Sequence, residues 1–324
     1  MSPRLSLAFE TGGIALPDGP VVVFHPRADA DLSMLPRDRV TIVQPFYPDY
    51  AAWTARGYTC LPEIEGRFDM GIVCVPRAKA LARALVAQAA RAAPLVVVDG
   101  AKSDGIDSLL KAMRKEVEVQ GPISKAHGKV FWTSPGEAFE RWRAVPADIG
   151  GFRTMPGVFS ADGVDPASEV LASVLPEKLG PRVADLGAGW GYLSADVLSR
   201  ASVEVLHVVE ADHIALCCAK ENLPDPRAQF HWADVTDWQP PEPVDAVVMN
   251  PPFHTSRTAD IALGQRFIQA AARMLKPQGT LWMVANRHLP YETALREAFR
   301  EGDELAGTPG FKLFRAARPS RPKR

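Results

Sequence analysis

Two stretches of the 324-residue chain run in parallel, and their likeness limits the possible folds more than any other feature. Arg67-Phe-Asp-Met-Gly-Ile-Val-Cys-Val-Pro76 matches Pro243-Val-Asp-Ala-Val-Val-Met-Asn-Pro-Pro252 in its aspartate, its apolar run and its closing proline. Each is followed by an Ala-rich helical pattern (80–92; 261–275), an apolar strand (94–99; 279–284) and a second helix (107–115; 291–300). Each half then finishes on a Gly/Pro turn and an aromatic strand, Gly128-Lys-Val-Phe-Trp132 against Gly310-Phe-Lys-Leu-Phe314. Self-similarity on this scale reads as the duplication of one folding unit. Apolar strands alternating with helices predict βαβ units, so the expected class is α/β with two tandem Rossmann-like domains.

In the second half, strands are expected over 183–186, 203–210, 228–232, 246–249 and 280–285. Helices are expected over 192–200, 213–222, 259–275 and 291–300, with a closing antiparallel hairpin around the Gly307-Thr-Pro-Gly310 turn. The stretch from Ala144 to Gly157 holds Pro146, Gly150, Gly151 and Pro156 without an apolar period, which reads as a linker with the boundary near Gly150. The expected domains are therefore 1–150 and 151–318, followed by a basic tail, 319–324.

The copies differ where chemistry would reside. The second carries Asp185-Leu-Gly187-Ala188-Gly189-Trp-Gly191 between a short strand and a helix, where glycines let backbone approach a nucleotide-like ligand. The dinucleotide spacing is not met, because Tyr192 stands at the third glycine's place. Glu210, with Ala211 beside it, ends the next strand about 20 residues on, where a carboxylate can accept from ribose hydroxyls. Asp234 follows the next strand and is placed to accept from an adenine amino group, with Val235 against the ring.

Asn250-Pro251-Pro252-Phe253 discriminates among the nucleotide-binding alternatives. Prolines end the strand and hold an extended turn at the sheet's carboxyl edge. The Asn250 side-chain oxygen and the Pro251 carbonyl can each accept one N–H of a flat amino group, localising its lone pair for attack on a methyl donor, and Phe253 would stack on the base. Read alone, the tetrad is equally a proline-terminated strand with a capping Asn and a core Phe. The segment Met155-Pro-Gly-Val-Phe159-Ser160-Ala-Asp-Gly-Val-Asp165-Pro-Ala-Ser168 has the chemistry of an ordered loop and helix cap that can cover the methionine end of the donor or the target base, and Phe159, Ser160 and Asp165 are expected on the donor side. His254, Arg257 and Arg153 are candidates for phosphate or base edges, and Trp190 for packing on Met or aromatic neighbours. The first copy has Val75-Pro76-Arg77-Ala78 for the tetrad and His25-Pro26 for the glycine loop, which predicts a degenerate, non-catalytic domain.

A formal net charge of −1 argues against a general nucleic-acid binder, although Arg315 to Arg324 is locally basic. The four cysteines lack paired spacing and the seven histidines lack ligand spacing, so no metal is expected. With neither signal peptide nor a long apolar span, a cytoplasmic protein away from membranes is expected.

Taken together, Pro156-Gly-Val-Phe-Ser160 with Gly163-Val-Asp165, the 185–191 loop, Asn250-Pro-Pro-Phe-His254, Val284-Ala-Asn-Arg-His-Leu-Pro-Tyr291 and Phe311-Lys-Leu-Phe-Arg315 resemble class I S-adenosylmethionine-dependent methyltransferases. Within them the chain resembles the "methyltransferase small" domain of rRNA guanine-N2 methyltransferases, most closely the RsmC-like family that acts on 16S rRNA. The resemblance implies two methyltransferase-type domains, the first degenerate and the second catalytic with a seven-stranded mixed sheet, together with S-adenosylmethionine as cofactor. It further implies ribosomal RNA or a ribosomal subunit as partner, a monomer, donor binding by the 185–191 loop, Glu210 and Asp234, and a flipped guanine held by Asn250 to Phe253. Trp190 departs from the small residue usual in that loop. Large-subunit guanine-N2, adenine-N6 and glutamine-N5 methyltransferases use related tetrads and remain alternatives, as do a non-catalytic RNA-binding assembly factor and, more distantly, an NAD oxidoreductase.

Overall fold

A computed structural model describes residues 3–252 and 261–320. Its chain divides into two units, Met1–Pro146 and Ala147–Arg324. The first runs α1 (Pro3–Glu10), β1 (Val21–Phe24), β2 (Val40–Val43), α2 (Tyr47–Ala55), β3 (Thr59–Leu61), β4 (Met70–Cys74), α3 (Lys79–Ala92), β5 (Leu95–Ala101), α4 (Ile106–Met113), β6 (Gln120–Lys125) and β7 (Gly128–Thr133). The second runs β8 (Ala147–Ile149), β9 (Phe152–Thr154), α5 (Pro166–Ala172), β10 (Arg182–Leu186), α6 (Tyr192–Leu198), β11 (Val205–Glu210), α7 (His213–Asn222), β12 (Ala228–Trp232), β13 (Val244–Met249), α8 (Ile261–Met274), β14 (Leu275–Asn286), α9 (Glu292–Ala298), β15 (Phe299–Leu305) and β16 (Phe311–Pro319).

The duplication expected from sequence emerges as one strand order used twice. The first unit's sheet is ordered β3-β2-β1-β4-β5-β7-β6, and the second's β12-β11-β10-β13-β14-β16-β15. In both, the final hairpin runs antiparallel to its neighbours while the other strands are parallel. Parallel strands covered on both faces must be apolar throughout, and β1, Val21-Val-Val-Phe24, is buried at every position. In β13, Val244 and Ala246 to Met249 are likewise buried, so removing a methyl group here costs about 1 kcal/mol.

Two elements differ from the expected pattern. The stretch read as a linker contains the β8–β9 hairpin, in which Ile149 pairs with Phe152 across Gly150-Gly151. Both glycines have positive φ, 61° and 89°, as a two-residue turn between twisted strands requires. Strand β14 begins at Leu275, ahead of the apolar run, because Leu275 pairs with Val244 before a register irregularity.

A single backbone position shows how the copies diverged. Gly187 N–H donates to Val209 O at 2.9 Å, and His25 N–H donates to Val43 O at 2.9 Å at the corresponding turn after the first strand. Both residues are left-handed, with φ of 75° and 54°. The second unit meets this turn with glycine, whereas the first tolerates a strain of about 1–2 kcal/mol in a histidine.

Candidate active site

At the carboxyl ends of β10, β11 and β13 the strand order reverses, leaving a crevice in the second unit. A pocket opens there, lined by Phe159, Ser160, Asp165, Ser168, Gly187 to Trp190, Tyr192, Leu193 and Asn250. Three segments far apart in sequence therefore meet in one place: the loop before α5, the glycine loop and the end of β13.

Asn250 is held on one side. Its Nδ2 donates to Asp165 Oδ2 at 2.8 Å and to Ser168 Oγ at 3.0 Å. Asp165 caps α5, its Oδ2 also accepting from Ser168 N–H at 2.9 Å, and Pro166 begins the helix where no N–H is needed. With both amide hydrogens engaged, Asn250 has Oδ1 left as its acceptor. Pro251 is buried and Pro252 exposed, and neither has an N–H, so the backbone of these two residues offers carbonyl oxygens alone. The arrangement accepts hydrogen bonds, as an amino group requires.

The glycine loop is secured from below and from the side. Glu210 accepts from Gly189 N–H through Oε2 at 2.7 Å and from Asp212 N–H through Oε1 at 2.8 Å. Each oxygen keeps a second lone pair, so the carboxylate can still accept from hydroxyls. Burial pushes the Glu210 carboxyl up to about 7, against the opposing effect of these N–H donors. Gly189 has φ of 58°, and a Cβ added there would meet no atom within 4 Å, so the loop presents an open backbone cradle.

Asp185, at the head of the 185–191 loop expected to bind the donor, is wholly buried and does not line the pocket. Its Oδ2 accepts from Ser194 Oγ of α6 at 2.7 Å, and its Oδ1 is buried without a hydrogen-bond partner among the described residues. Burial drives its carboxyl to about 7, the Ser194 hydroxyl opposing and the nearby Glu210 adding to the rise.

The remaining candidates divide. Phe159, Ser160, Asp165, Gly187, Ala188, Gly189 and Asn250 line the pocket. Gly191, at φ 97°, starts α6 with its Cα face against Leu223. Ala211 accepts through its carbonyl from Trp232 Nε1 at 2.8 Å. Asp234 Oδ1 accepts from Thr236 N–H and Oγ1, both at 2.8 Å, so it shapes its own turn. Val235 is 2% exposed and belongs to the core around Leu186, Val209 and Met249. Arg153 pairs with Glu221 at 3.0 Å. Phe253, His254, Arg257 and the end of the basic tail, Arg321 to Arg324, lie outside the described residues.

Sequence reasoning missed two residues that build this site. Ser168 was visible only as part of a cap, yet its hydroxyl accepts from Asn250. Asn222, at the end of α7, accepts from Arg153 N–H at 2.7 Å and donates to Arg153 O at 2.9 Å and Trp190 O at 2.8 Å. It thereby ties β9 to the glycine loop. Trp190 is buried against Phe152, Met155 and Tyr192, as its apolar character suggested, and its Nε1 donates to Phe159 O at 3.1 Å.

In the first unit apolar packing takes the corresponding place. Val75, the counterpart of Asn250, is buried, and a Cβ on Gly100 would lie 2.8 Å from Val75 Cβ. The His25-Pro26 turn is fastened by Gln44 Nε2 and Trp53 Nε1, which both donate to Pro26 O.

The chain is 29% identical over 269 residues to the ribosomal RNA small subunit methyltransferase C of Hahella chejuensis, covering 78% of this chain and 79% of that protein. It is 31% identical over 279 residues to the ribosomal RNA large subunit methyltransferase G of Streptomyces avermitilis, covering 78% and 72%. Among solved structures it is similar to the T. thermophilus 16S rRNA N2 G1207 methyltransferase (RsmC) in complex with AdoMet and guanosine. That likeness has a TM-score of 0.78 and 25% identity, over 94% of this chain and 90% of that one. A family model, the methyltransferase small domain, matches residues 150–315, the whole span that carries the pocket, and the chain belongs to that family.

Proposed function

We propose that this protein transfers a methyl group from S-adenosylmethionine to the exocyclic N2 amino group of a guanine in ribosomal RNA, with 16S rRNA as the first candidate. The observation that carries the reading is the restraint of Asn250: Asp165 and Ser168 take its amide hydrogens and leave Oδ1 to accept. The donor fits the residues present, because Gly189 offers an open cradle and Glu210 keeps lone pairs for ribose hydroxyls.

When bound, the donor supplies an electrophilic methyl group on a sulfonium. The chain's residues act on the amine. Asn250 Oδ1 and the Pro251 carbonyl each accept one N–H, so the nitrogen lone pair is turned out of conjugation with the ring and the developing positive charge is stabilised. As the N–C bond forms the S–C bond breaks, and the methylated amine loses its surplus proton to water. The pocket lining has one carboxylate, Asp165, and it is committed to Ser168 and Asn250, so the residues orient rather than deprotonate. Reaching an exocyclic amine requires the base to leave its stack, at roughly a few kcal/mol.

The reading gives a metal ion no part, takes the single chain as the acting unit, and places the reaction in the cytoplasm with its ribosomal substrate. Among the described residues no helix is long and apolar enough to cross a membrane. The first unit, with buried Val75 in the place of Asn250, would serve RNA binding or support.

Incubation with methyl-labelled donor and separated ribosomal subunits, followed by mapping of the labelled nucleotide, tests this. Label on guanine N2 of small-subunit rRNA is expected. The Streptomyces relative favours large-subunit rRNA as the second reading, and label there would select it. Label confined to DNA or protein would overturn both.

A further inference from the structure

Phe159 is 56% exposed, the one large apolar side chain of the second unit so exposed among the described residues. It nevertheless lines the pocket that contains Asn250. At that exposure the ring forgoes about half of the burial benefit open to it in the free protein, and a flat ligand covering it in the pocket would supply the rest.

The backbone beneath it is fixed. Trp190 is 3% exposed and donates from Nε1 to Phe159 O at 3.1 Å, while Asn222 binds the Trp190 carbonyl at 2.8 Å and both backbone groups of Arg153. Ser160 takes a left-handed turn at φ 53°, and Thr154 Oγ1 donates to Ala161 O at 2.8 Å on the far side. The loop is clasped at both ends of the Phe159–Ala161 turn, and the ring is presented from it.

Two flat groups enter this site, the donor's adenine and the acceptor base. Gly187 to Gly189 of the donor's glycine loop line this pocket together with Phe159 and Asn250, whereas the acidic strand end and turn suited to the donor's flat nucleoside, Glu210 and Asp234, belong to β11 and the turn after β12 and lie outside it. What Asn250 faces is the amine, and the ring attached to that amine is the acceptor base.

We propose that Phe159 is a substrate-binding residue of the acceptor side, its ring stacking on the target base, with Trp190 and Asn222 as the residues that hold it there. This reassigns Phe159 from the donor to the acceptor, and it rests on the methyl-transfer reading above. A stacked aromatic is worth about 5- to 150-fold in affinity per base, whichever base it meets, and a larger aromatic ring in its place keeps a face to stack.

The test compares wild type, Phe159→Ala and Phe159→Trp by donor Kd from calorimetry and by KM and kcat for the rRNA substrate. Phe159→Ala is expected to raise the acceptor KM at least fivefold with donor Kd changed less than twofold, and Phe159→Trp to restore KM to within threefold of wild type. Because the side chain is exposed, the thermal midpoint should be unchanged. A Phe159→Ala protein with weakened donor binding and wild-type acceptor KM would overturn the proposal, as would failure of Trp to rescue. Failure of the underlying reading is separately visible, since wild type would then methylate no RNA.

Discussion

Asp165 Oδ2 lies 2.8 Å from Asn250 Nδ2, joining a helix cap to the end of a strand 85 residues away in sequence. The same oxygen accepts from Ser168 N–H, so one carboxylate both starts α5 and orients the amide. Asp165→Ala should cost about 1 kcal/mol of stability through the lost cap. It should also lower kcat roughly 10- to 100-fold, because an unrestrained amide samples the wrong flip. Asp165→Asn, which still offers an oxygen, should recover most of the rate. Equal loss in both variants, measured as kcat at saturating donor, would show that charge and not orientation matters.

Asn250→Ala removes the acceptor itself. Methyl transfer should fall about 100- to 1000-fold while calorimetric donor affinity stays within a fewfold of wild type. A protein acting only as an assembly factor would keep its biological function with this change, so complementation of a deletion strain separates the two classes.

Asn222 makes three side-chain hydrogen bonds to backbone on two segments. Asn222→Asp keeps the acceptor for Arg153 N–H but loses both donors. The expected result is a rise in donor and acceptor KM of roughly fivefold or more with kcat little changed, since the walls loosen while Asn250 is untouched. A residue that merely supports folding would lower the active fraction and leave KM alone.

Much of this was legible because it depends on local pattern. The apolar run ending in Pro76 or Pro252 identified β4 and β13, and the shared strand order follows from repeating the same run of elements. The hairpin at 147–154 was missed because Gly150-Gly151 looks alike in a linker and in a tight turn; pairing of Ile149 with Phe152 decides it. Asp185 groups with the donor-binding loop in sequence because it adjoins the glycines, yet a strand residue points to one face only, and this one points into the protein beneath Ser194. Asp165, Ser168 and Asn222 act across 69 to 85 residues of sequence, and no local spacing announces such a contact.

Asp185 and Glu210 link the site to pH. Both carboxyls are raised to about 7 by burial, so between roughly pH 4 and 7 the folded protein holds protons that the unfolded chain has released. Their contribution to stability therefore falls as pH rises through that window, the reverse of the usual carboxylate case. Asp185→Asn, neutral at every pH, should gain on the order of 2 kcal/mol at pH 8, read as a higher thermal midpoint. A cationic donor favours the ionised carboxylates, so wild-type affinity should be about tenfold stronger at pH 8 than at pH 6, with proton release detectable by calorimetry in buffers of different ionisation heat. A Kd flat across this range would remove the linkage.

His207 acts in the opposite sense. Its ring is 3% exposed, stands 3.1 Å from His231 across the β11–β12 pair and packs on Trp238. Burial lowers it to about 4, with His231 and Arg182 adding to the shift, and burial lowers His231 as well. Folding thus favours neutral rings, so this contribution is complete above pH 6.5 and is lost as pH falls from 6.5 towards 4. The loss for His207 amounts to roughly 3 kcal/mol. Replacing it by leucine should flatten the acid limb of a denaturant-midpoint profile between pH 6.5 and 4.5 while leaving the limb above pH 7 in place. Retention of the full acid slope in that variant would assign it to other groups.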